Sequence, residues 1–324
     1  MRRSALLLAA LLLLGACGID GTGTAVTSTT TDAAAATSAP SAPTTVDQPD
    51  YPVTIEADNG SVTLDDLPES IVSLSATATE ILFAIGAGDQ VVATDDQSNF
   101  PADVPTSDLS SFTPNVEAIL SYDPDLVVIY YDPGDLVASL SAADVPVLSQ
   151  PPATTLDDAY GQIEDLGKAT GHAAEALGLN ESIAEGLTMA IEAAPNIPEG
   201  TTYYHEVDNT FYTATSDTFI GQVYSMFGIE NIADQTDDGS SLGYPQLSSE
   251  YIVSVDPDLI FLANALYGES VDTVAARPGW DVLSAVQGDN VVELDSDVVS
   301  RWGPRVVDFA EDVSDALEAY SSRN

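Results

Sequence analysis

The sequence predicts an α/β fold with two lobes, each a mainly parallel sheet flanked by helices, joined by one long rigid helix. Three observations favour this fold. A twelve-residue pattern occurs twice, beginning at Glu117 and again at Glu250, 133 positions later. Short apolar runs alternate with helical patterns, which is typical of parallel sheets. A long helical stretch separates the two copies of the pattern.

Each copy of the repeated pattern holds a Glu, a Ser four residues later, then Asp-Pro-Asp-Leu and an apolar run. A short helix should end at Asp123 and at Asp256, because proline disfavours the α conformation of the residue before it. The run from Leu126 to Tyr130 has the composition of a strand that is buried on both faces. Two such units indicate two similar lobes with a cleft between them.

Charge and cysteine content exclude several classes of protein. The 324 residues include 7 Lys+Arg and 52 Asp+Glu, for a formal net charge of −45. Nucleic acid is excluded as a partner, because phosphate binding needs a basic surface. The acid excess is typical of a highly soluble surface or of a saline habitat. One Cys excludes an intrachain disulfide, and two His leave little material for a His-rich metal site.

The amino-terminal 50 residues predict export and anchoring. Residues 1–16 have the pattern of a signal peptide, with two arginines ahead of an apolar run that is too short to span a bilayer. The four residues that end at Cys17 are similar to a bacterial lipobox, which implies lipidation of that cysteine; ordinary secretory cleavage is the alternative. Residues 17–50 lack large apolar side chains and predict a disordered tether behind the lipidated Cys17. We therefore expect an extracytoplasmic protein that reaches the membrane only through its lipid anchor.

The amino-terminal lobe is expected at 51–155. A hairpin with an Asn59-Gly60 turn precedes its sheet. A helix over 80–85 should end at Gly86. The predicted strands of the sheet are the segments 71–74, 91–93, 126–130 and 145–148.

Linking helices are expected at 156–194 and the carboxy-terminal lobe at 195–324. Gly171 divides a first helix from a second helix of roughly 22 residues, which spans about 33 Å. That length is sufficient to run along both lobes. The remaining predicted elements of the second lobe are strands at 202–207, 211–214 and 291–294, the strand of the second repeat, and helices at 219–227 and 305–320.

In their order, these segments resemble the iron-chelate and cobalamin substrate-binding proteins of ABC importers, the type with a helical backbone between its lobes. The resemblance covers roughly residues 71–317. It rests on the two repeats and on three further segments: 79–86, Arg277-Pro278-Gly279-Trp280 and Gly303-Pro304-Arg305. It implies a lipoprotein that captures a ferric siderophore or a cobalamin-type ligand between its lobes and delivers it to a permease, with no enzymatic activity.

The resemblance also implies roles for particular residues. Glu117 and Glu250 correspond to glutamates that dock onto arginines of the permease, a pairing that carboxylates make well. A Glu in a first helical turn also favours the helix dipole, so a purely structural role stays open. The cleft should be lined at the carboxyl ends of the strands. Ligand-binding candidates there are the aromatic residues Phe112, Tyr130 and Tyr244, and also Ser75, Thr77, Gln97, Glu206, Asp208, Arg301 and Trp302.

The scarcity of arginine bears on the ligand. A cationic or neutral chelate, or a corrinoid, fits the charge better than an anionic ferric siderophore. Arg301 has two interpretations, since it can clamp an anionic group of a ligand or pair with a neighbouring Asp. Direct binding of Fe(III) by residues 203–206 is disfavoured, because neighbours on a strand point to opposite faces. We expect no resident cofactor or metal; a ferric chelate or corrinoid would be the cargo.

Three other readings of the sequence remain. A zinc- or manganese-binding protein of the same superfamily would need more histidines, and a sensor or scaffold lipoprotein would keep the lobes without transport. An enzyme is disfavoured by the absence from the sequence of a nucleophile elbow or a phosphate loop. We expect a monomer with little lobe closure, because one continuous helix resists hinge bending.

Overall fold

The computed structural model describes residues 51–323. The predicted signal peptide, Cys17 and the tether lie outside the described residues, and they stay predictions. Within the described part of the chain, no helix has both the length and the apolar character needed to cross a bilayer.

Two parallel sheets of four strands form the centres of the two lobes. The strands are β1 (Val53–Ala57), β2 (Gly60–Leu64), β3 (Ile71–Leu74), β4 (Val91–Thr94), β5 (Leu126–Ile129), β6 (Val147–Ser149), β7 (Thr202–Glu206), β8 (Glu230–Asn231), β9 (Leu259–Leu262) and β10 (Val291–Glu293). The first sheet has the order β4-β3-β5-β6 and the second the order β8-β7-β9-β10, so the two lobes share one topology. The antiparallel hairpin β1-β2 precedes the first sheet. The predicted two-lobed α/β fold is confirmed.

Eleven α-helices of the described residues flank these sheets. They are α1 (Ala76–Ala84), α2 (Val116–Leu120), α3 (Leu136–Ser141), α4 (Leu156–Thr170), α5 (Ala173–Ala193), α6 (Phe219–Ser225), α7 (Ser249–Val255), α8 (Val271–Ala275), α9 (Ser284–Gln287), α10 (Ser296–Val299) and α11 (Val306–Arg323). Every residue of β3, β5 and β9 is buried, as expected for strands covered by helices on both faces.

The two repeats have the same local geometry. The aspartate ahead of the proline adopts the left-handed conformation in both, with φ of 50° and 55°. The second aspartate of the Asp-Pro-Asp sequence then fixes the start of the neighbouring strand. Asp125 Oδ2 accepts from the Ser70 N–H at 3.0 Å, and Asp258 Oδ2 accepts from the Thr202 N–H at 2.8 Å. The repeat therefore holds two adjacent parallel strands in register in each lobe.

The connection between the lobes is helical, as predicted. Helix α4 starts at a capping box formed by Thr155 and Asp158, and Gly171 ends it with φ 79°. Helix α5 has 21 residues, a length of about 32 Å. It packs on α4 and α11, where a Cβ on Gly186 would lie 2.7 Å from Val307 Cγ1. The largest apolar cluster contains residues of both sheets and of α5, so one continuous core supports both lobes.

Three local predictions were wrong. Helix α1 begins at Ala76 rather than at residue 80, because the Ser75 hydroxyl accepts from the Ala78 N–H and caps it. The predicted strand 211–214 is only an isolated bridge, and Phe211 has φ 69°, which breaks a ladder. The hairpin turn lies one residue earlier than predicted, since Ala57 pairs with Gly60.

Candidate functional site

A cavity of about 280 Å³ lies between the lobes, at the carboxyl ends of both sheets. The first lobe supplies Ser75, Ala76, Thr77, Asp95, Gln97, Ser111, Phe112 and Tyr130, and the second supplies Tyr267, Ser296, Asp297, Ser300, Arg301 and Trp302. Ligands of parallel α/β sheets bind at this edge, because the loops there converge. The cavity is therefore the candidate binding site.

The wall from the first lobe is aromatic. Phe112 and Tyr130 meet edge to face, with ring centroids 6.3 Å apart and an interplanar angle of 79°. Tyr131 lies against both rings, and its hydroxyl donates to the Phe112 carbonyl at 3.2 Å. Phe112 is 59% exposed, so part of its ring is free to contact a ligand. The cluster offers a preformed aromatic surface to a flat ligand.

Tyr130 is a neutral hydrogen-bond donor at this wall. Burial of its hydroxyl raises the pKa of Tyr130 above its ordinary value, and the nearby groups Tyr131 and Asp95 act in the same direction. The Ser111 side chain opposes the shift through a hydrogen bond. At pH 7 the phenol therefore keeps its proton, and its O–H can donate to a ligand.

The wall from the second lobe is polar, and Arg301 is its centre. Arg301 Nη1 donates to Glu80 Oε1 at 2.7 Å and to Asn99 Oδ1 at 2.9 Å. Its Nη2 donates to the Gln97 carbonyl at 3.0 Å and lies 2.8 Å from Asp297 Oδ1. The side chain is 7% exposed. Of the two interpretations of Arg301, these contacts favour pairing with carboxylates, because four protein oxygens already surround its terminal nitrogens.

Glu80 ties the two walls together. It lies on α1 of the first lobe, whereas Arg301 and Arg305 follow β10 of the second lobe. Arg305 Nε and Nη2 donate to the two carboxylate oxygens of Glu80 at 2.9 and 2.6 Å. The Arg305 guanidinium also lies 4.5 Å from the ring centroid of Phe100. A buried carboxylate with two guanidinium partners links the two lobes on this side of the cavity.

Three predicted ligand residues do not line this cavity. Glu206 is fully buried, and its carboxylate accepts from Arg277 Nη1 and Nη2 at 2.6 and 2.7 Å and from Asn264 Nδ2 at 2.9 Å. Asp208 Oδ1 caps its own turn through the Thr210 N–H at 2.8 Å. Tyr244 is 42% exposed, outside the set of lining residues. The other seven, Ser75, Thr77, Gln97, Phe112, Tyr130, Arg301 and Trp302, all line it.

Sequence reasoning missed two further lining residues of interest. Asp95 directly follows β4, so its position at the end of a strand was the available signal. Tyr267 lies in the loop after β9, and it is 84% exposed. The Tyr267 loop runs from Asn264 to Glu269, and both of its ends are tied to Glu206. Asn264 binds Glu206 directly, whereas Glu269 binds Arg277, which in turn binds Glu206. Only the folded chain brings Glu206 and Arg277 together.

The glutamates of the two repeats lie on the surface. Glu117 and Glu250 are both exposed in the first turns of α2 and α7. Those helices are capped at equivalent positions, by the side chains of Asn115 and Ser248. The two carboxylates therefore have matching local geometry, one on each lobe.

Among residues 51–323, no group of three or more His, Cys, Asp or Glu side chains is arranged to hold a metal ion. His205, which the sequence placed near a possible iron site, is fully buried, and its Nδ1 lies 2.9 Å from the Tyr224 hydroxyl.

Comparison with known proteins gives a consistent result. Residues 71–298 match the family model described as "Periplasmic binding protein". The chain is 32% identical over 278 residues to an uncharacterized ABC transporter substrate-binding lipoprotein, YvrC, of Bacillus subtilis, covering 82% of this chain and 86% of that one. It is also 32% identical over 272 residues to a cobalamin-binding protein of Halobacterium salinarum, covering 80% and 72%.

A solved structure agrees with these sequence matches. The periplasmic vitamin B12 binding protein BtuF of Vibrio cholerae superimposes with a TM-score of 0.63 and 27% identity, covering 78% of this chain and 98% of that one. The printed names of these proteins describe a substrate-binding lipoprotein of an ABC transporter and binding proteins for cobalamin or vitamin B12. The chain thus belongs to the periplasmic binding protein family, as a substrate-binding protein of ABC transport.

Proposed function

We propose that this protein captures a metal chelate, either a cobalamin-type corrinoid or a ferric siderophore, and delivers it to the permease of an ABC importer. The protein acts as a monomer outside the cytoplasm, anchored by a lipid on Cys17. In this proposal the lobes are residues 51–155 and 195–324, with the segment 156–194 as the linker. A zinc- or manganese-binding role and a sensor role are the alternatives.

The observation that carries the proposal is the cavity between the lobes, with an aromatic wall facing a polar one. An aromatic surface of Phe112, Tyr130 and Tyr131 suits a large flat ligand through buried area and contact. Trp302 adds a ring on the opposite side, held by its indole N–H, which donates to Gln162 Oε1 at 2.7 Å. The relatives named as cobalamin-binding and vitamin B12-binding proteins support a ligand of this size and shape.

A thermal-shift screen tests capture. The probes are cyanocobalamin, haemin, ferric hydroxamate and catecholate siderophores, ZnCl₂ and MnCl₂. A ligand at 100 times its Kd stabilises the folded protein by about 2.7 kcal/mol, which raises Tm measurably. We expect a shift with at least one chelate. A shift only with the bare metal ions would support the metal-binding alternative, and no shift with any probe would contradict capture.

The exposed pair Glu117 and Glu250 is proposed to dock onto arginines of the permease. Carboxylates form strong charge-assisted pairs with Arg. The double variant Glu117→Lys/Glu250→Lys should bind ligand with unchanged affinity but lose uptake in membrane vesicles that contain the importer. The control is Glu181→Lys/Glu185→Lys, the same charge change at exposed positions of α5. Loss of ligand binding in the first variant would instead assign the two glutamates to the cleft.

A further inference from the structure

One carboxylate of the cavity has an oxygen without a partner. Asp95 lines the cavity and is only 2% exposed. Its Oδ1 accepts from the Ser98 hydroxyl at 2.6 Å, whereas Oδ2 is buried and has no hydrogen-bond partner among the described residues. A buried acceptor that is left unpaired is costly, so such atoms in folded proteins usually have a use.

The Asp95 carboxylate is held in a fixed position. Its backbone N–H donates to the Ser73 carbonyl at 3.0 Å, which extends the pairing of β4 with β3. The Ser98 hydroxyl that binds Oδ1 is itself 2.9 Å from Thr79 Oγ1, and the Thr79 hydroxyl donates to Ser73 Oγ at 2.9 Å. This buried chain of hydroxyls orients one oxygen and leaves the other for a ligand. The arrangement is a preformed acceptor.

The charges around Asp95 favour a ligand that brings donors or positive charge. Asp95 and Asp297 are the carboxylates of the lining set, and Arg301 is its one cation. Arg301 is already surrounded by Glu80, Asp297 and two neutral oxygens. An anionic ligand would therefore meet two carboxylates and a guanidinium whose charge is already matched.

We propose that Asp95 Oδ2 accepts a hydrogen bond from an N–H of the ligand, and that this contact selects a neutral or cationic chelate with amide or amine groups on its rim. The inference rests on the proposed function and narrows it. A corrinoid bears carboxamide groups around its ring and meets the requirement. A carboxylate-rimmed macrocycle such as haem, or an anionic ferric catecholate, does not.

The test compares Asp95→Asn with Asp96→Asn. Asp96 is the adjacent residue, is exposed and is not among the lining residues, so its variant makes the same charge change outside the site. Binding of cyanocobalamin, of haemin and of a ferric catecholate siderophore is measured by titration calorimetry on the ligand-free wild type and both variants. The melting temperature of each ligand-free protein shows whether the variant is folded.

We expect the wild type to prefer cyanocobalamin, and Asp95→Asn to weaken that binding by about tenfold, because a neutral amide oxygen replaces a charged acceptor and hydrogen bonds to charged groups are about twice as strong. Asp96→Asn should bind like the wild type. A set of cyanocobalamin derivatives with one carboxamide hydrolysed to a carboxylate supplies the reciprocal test. At least one of them should bind the wild type more weakly than cyanocobalamin, and Asp95→Asn should reduce that difference.

The other outcomes distinguish the two proposals. Equal affinity of wild type and Asp95→Asn for cyanocobalamin, with the derivatives also unaffected, would overturn the role of Asp95 and leave capture of a corrinoid intact. Preference of the wild type for haemin or a ferric catecholate would overturn the ligand class but not chelate capture. Absence of binding to every chelate would overturn both. Should Asp95→Asn fail to fold, the same titrations are made with Asp95→Ser and with Asp96→Ser as its control.

Discussion

The two lobes share a strand order and a repeated unit, yet they end differently at the cleft. By the pairing register, Leu74 at the end of β3 corresponds to Glu206 at the end of β7. Tyr130 after β5 corresponds in the same way to Ala263 after β9. At these positions the first lobe has an aromatic ring beside an apolar residue, whereas the second has a buried carboxylate and its polar partners.

The difference follows from one position in each sheet. Leu74 is buried and apolar, so it needs no polar partner. Glu206 is a buried charge, and it requires Arg277 and Asn264 to compensate it. The same scaffold therefore makes a contact surface in one lobe and a rigid frame for the Tyr267 loop in the other. Four predictions test this contrast, beginning with the largest expected effect.

Glu80→Gln should have the largest effect, because the Glu80 carboxylate connects the first lobe to Arg301 and Arg305 of the second lobe. It leaves the buried Arg301 and the half-buried Arg305 without their shared carboxylate, which costs about 3–5 kcal/mol in unfolding free energy. Urea denaturation measures the loss. Glu181→Gln, an exposed position on α5, should change stability by less than about 0.5 kcal/mol. A loss of similar size in both variants would show that the Glu80 cluster contributes nothing specific.

The strand β7 of the second lobe should lose stability in acid, whereas the equivalent strand β3 of the first lobe has no titratable residue at the matching position. Burial lowers the pKa of His205 from 6.5 to about 3, whereas Ser73 occupies the equivalent place in β3. A folded-state pKa below the unfolded value means that the unfolded chain binds the proton first. The contribution of neutral His205 to the free energy of unfolding is therefore complete above pH 6.5. It decreases by a few kcal/mol as the pH falls towards 3.

His205→Gln should remove this part of the pH dependence. The measurement is the unfolding free energy between pH 7 and pH 4 for wild type, His205→Gln and His172→Gln, the last being the other histidine of the chain. We expect a shallower slope only in His205→Gln. An unchanged slope would mean that His205 has the same pKa in the folded and the unfolded protein, so that burial does not shift it.

The aromatic residues of the two walls should contribute unequally to binding. Phe112→Ala removes part of a preformed cluster, so we expect ligand affinity to fall about tenfold, or about 1.4 kcal/mol. Tyr267→Ala should have a smaller effect, because that ring has no packed neighbours among the aromatic contacts of the described residues. Tyr244→Ala should leave affinity unchanged, since Tyr244 does not line the cavity. Calorimetric titration with the chelate found by thermal shift measures all three, and a large effect of Tyr244→Ala would restore it as a ligand residue.

The smallest expected effect concerns the aspartate ahead of the proline in each repeat, Asp123 and Asp256. Asp256 caps α9, with Oδ1 accepting from the Ser284 N–H at 2.6 Å, whereas the structure gives the Asp123 side chain no hydrogen bond among residues 51–323. Both residues have the same left-handed backbone, so replacing either with Ala carries the same conformational penalty. Asp256→Ala should therefore be about 1 kcal/mol more destabilising than Asp123→Ala. Equal losses in thermal unfolding would show that the cap contributes nothing.

Much of the fold was predictable because local patterns determine it. Apolar runs marked β3, β5 and β9, and the glycine at 171 marked the break between α4 and α5. Seven of the ten ligand candidates line the cavity, because the carboxyl ends of parallel strands converge wherever such a sheet forms. The short helices α8, α9 and α10 were not predicted, since segments of four or five residues carry little periodicity.

The sequence alone determined the two-lobed α/β fold, the linking helix and the positions of the strand ends, because each depends on residues that are close together along the chain. Only the tertiary structure decided the partners of the buried charges. Arg301 meets Glu80 across 221 positions, and Arg277 meets Glu206 across 71. These pairings turn a candidate anion clamp and a candidate ligand residue into structural supports. Sequence could not reveal them, because a buried charge takes whichever partner the packed core brings within reach.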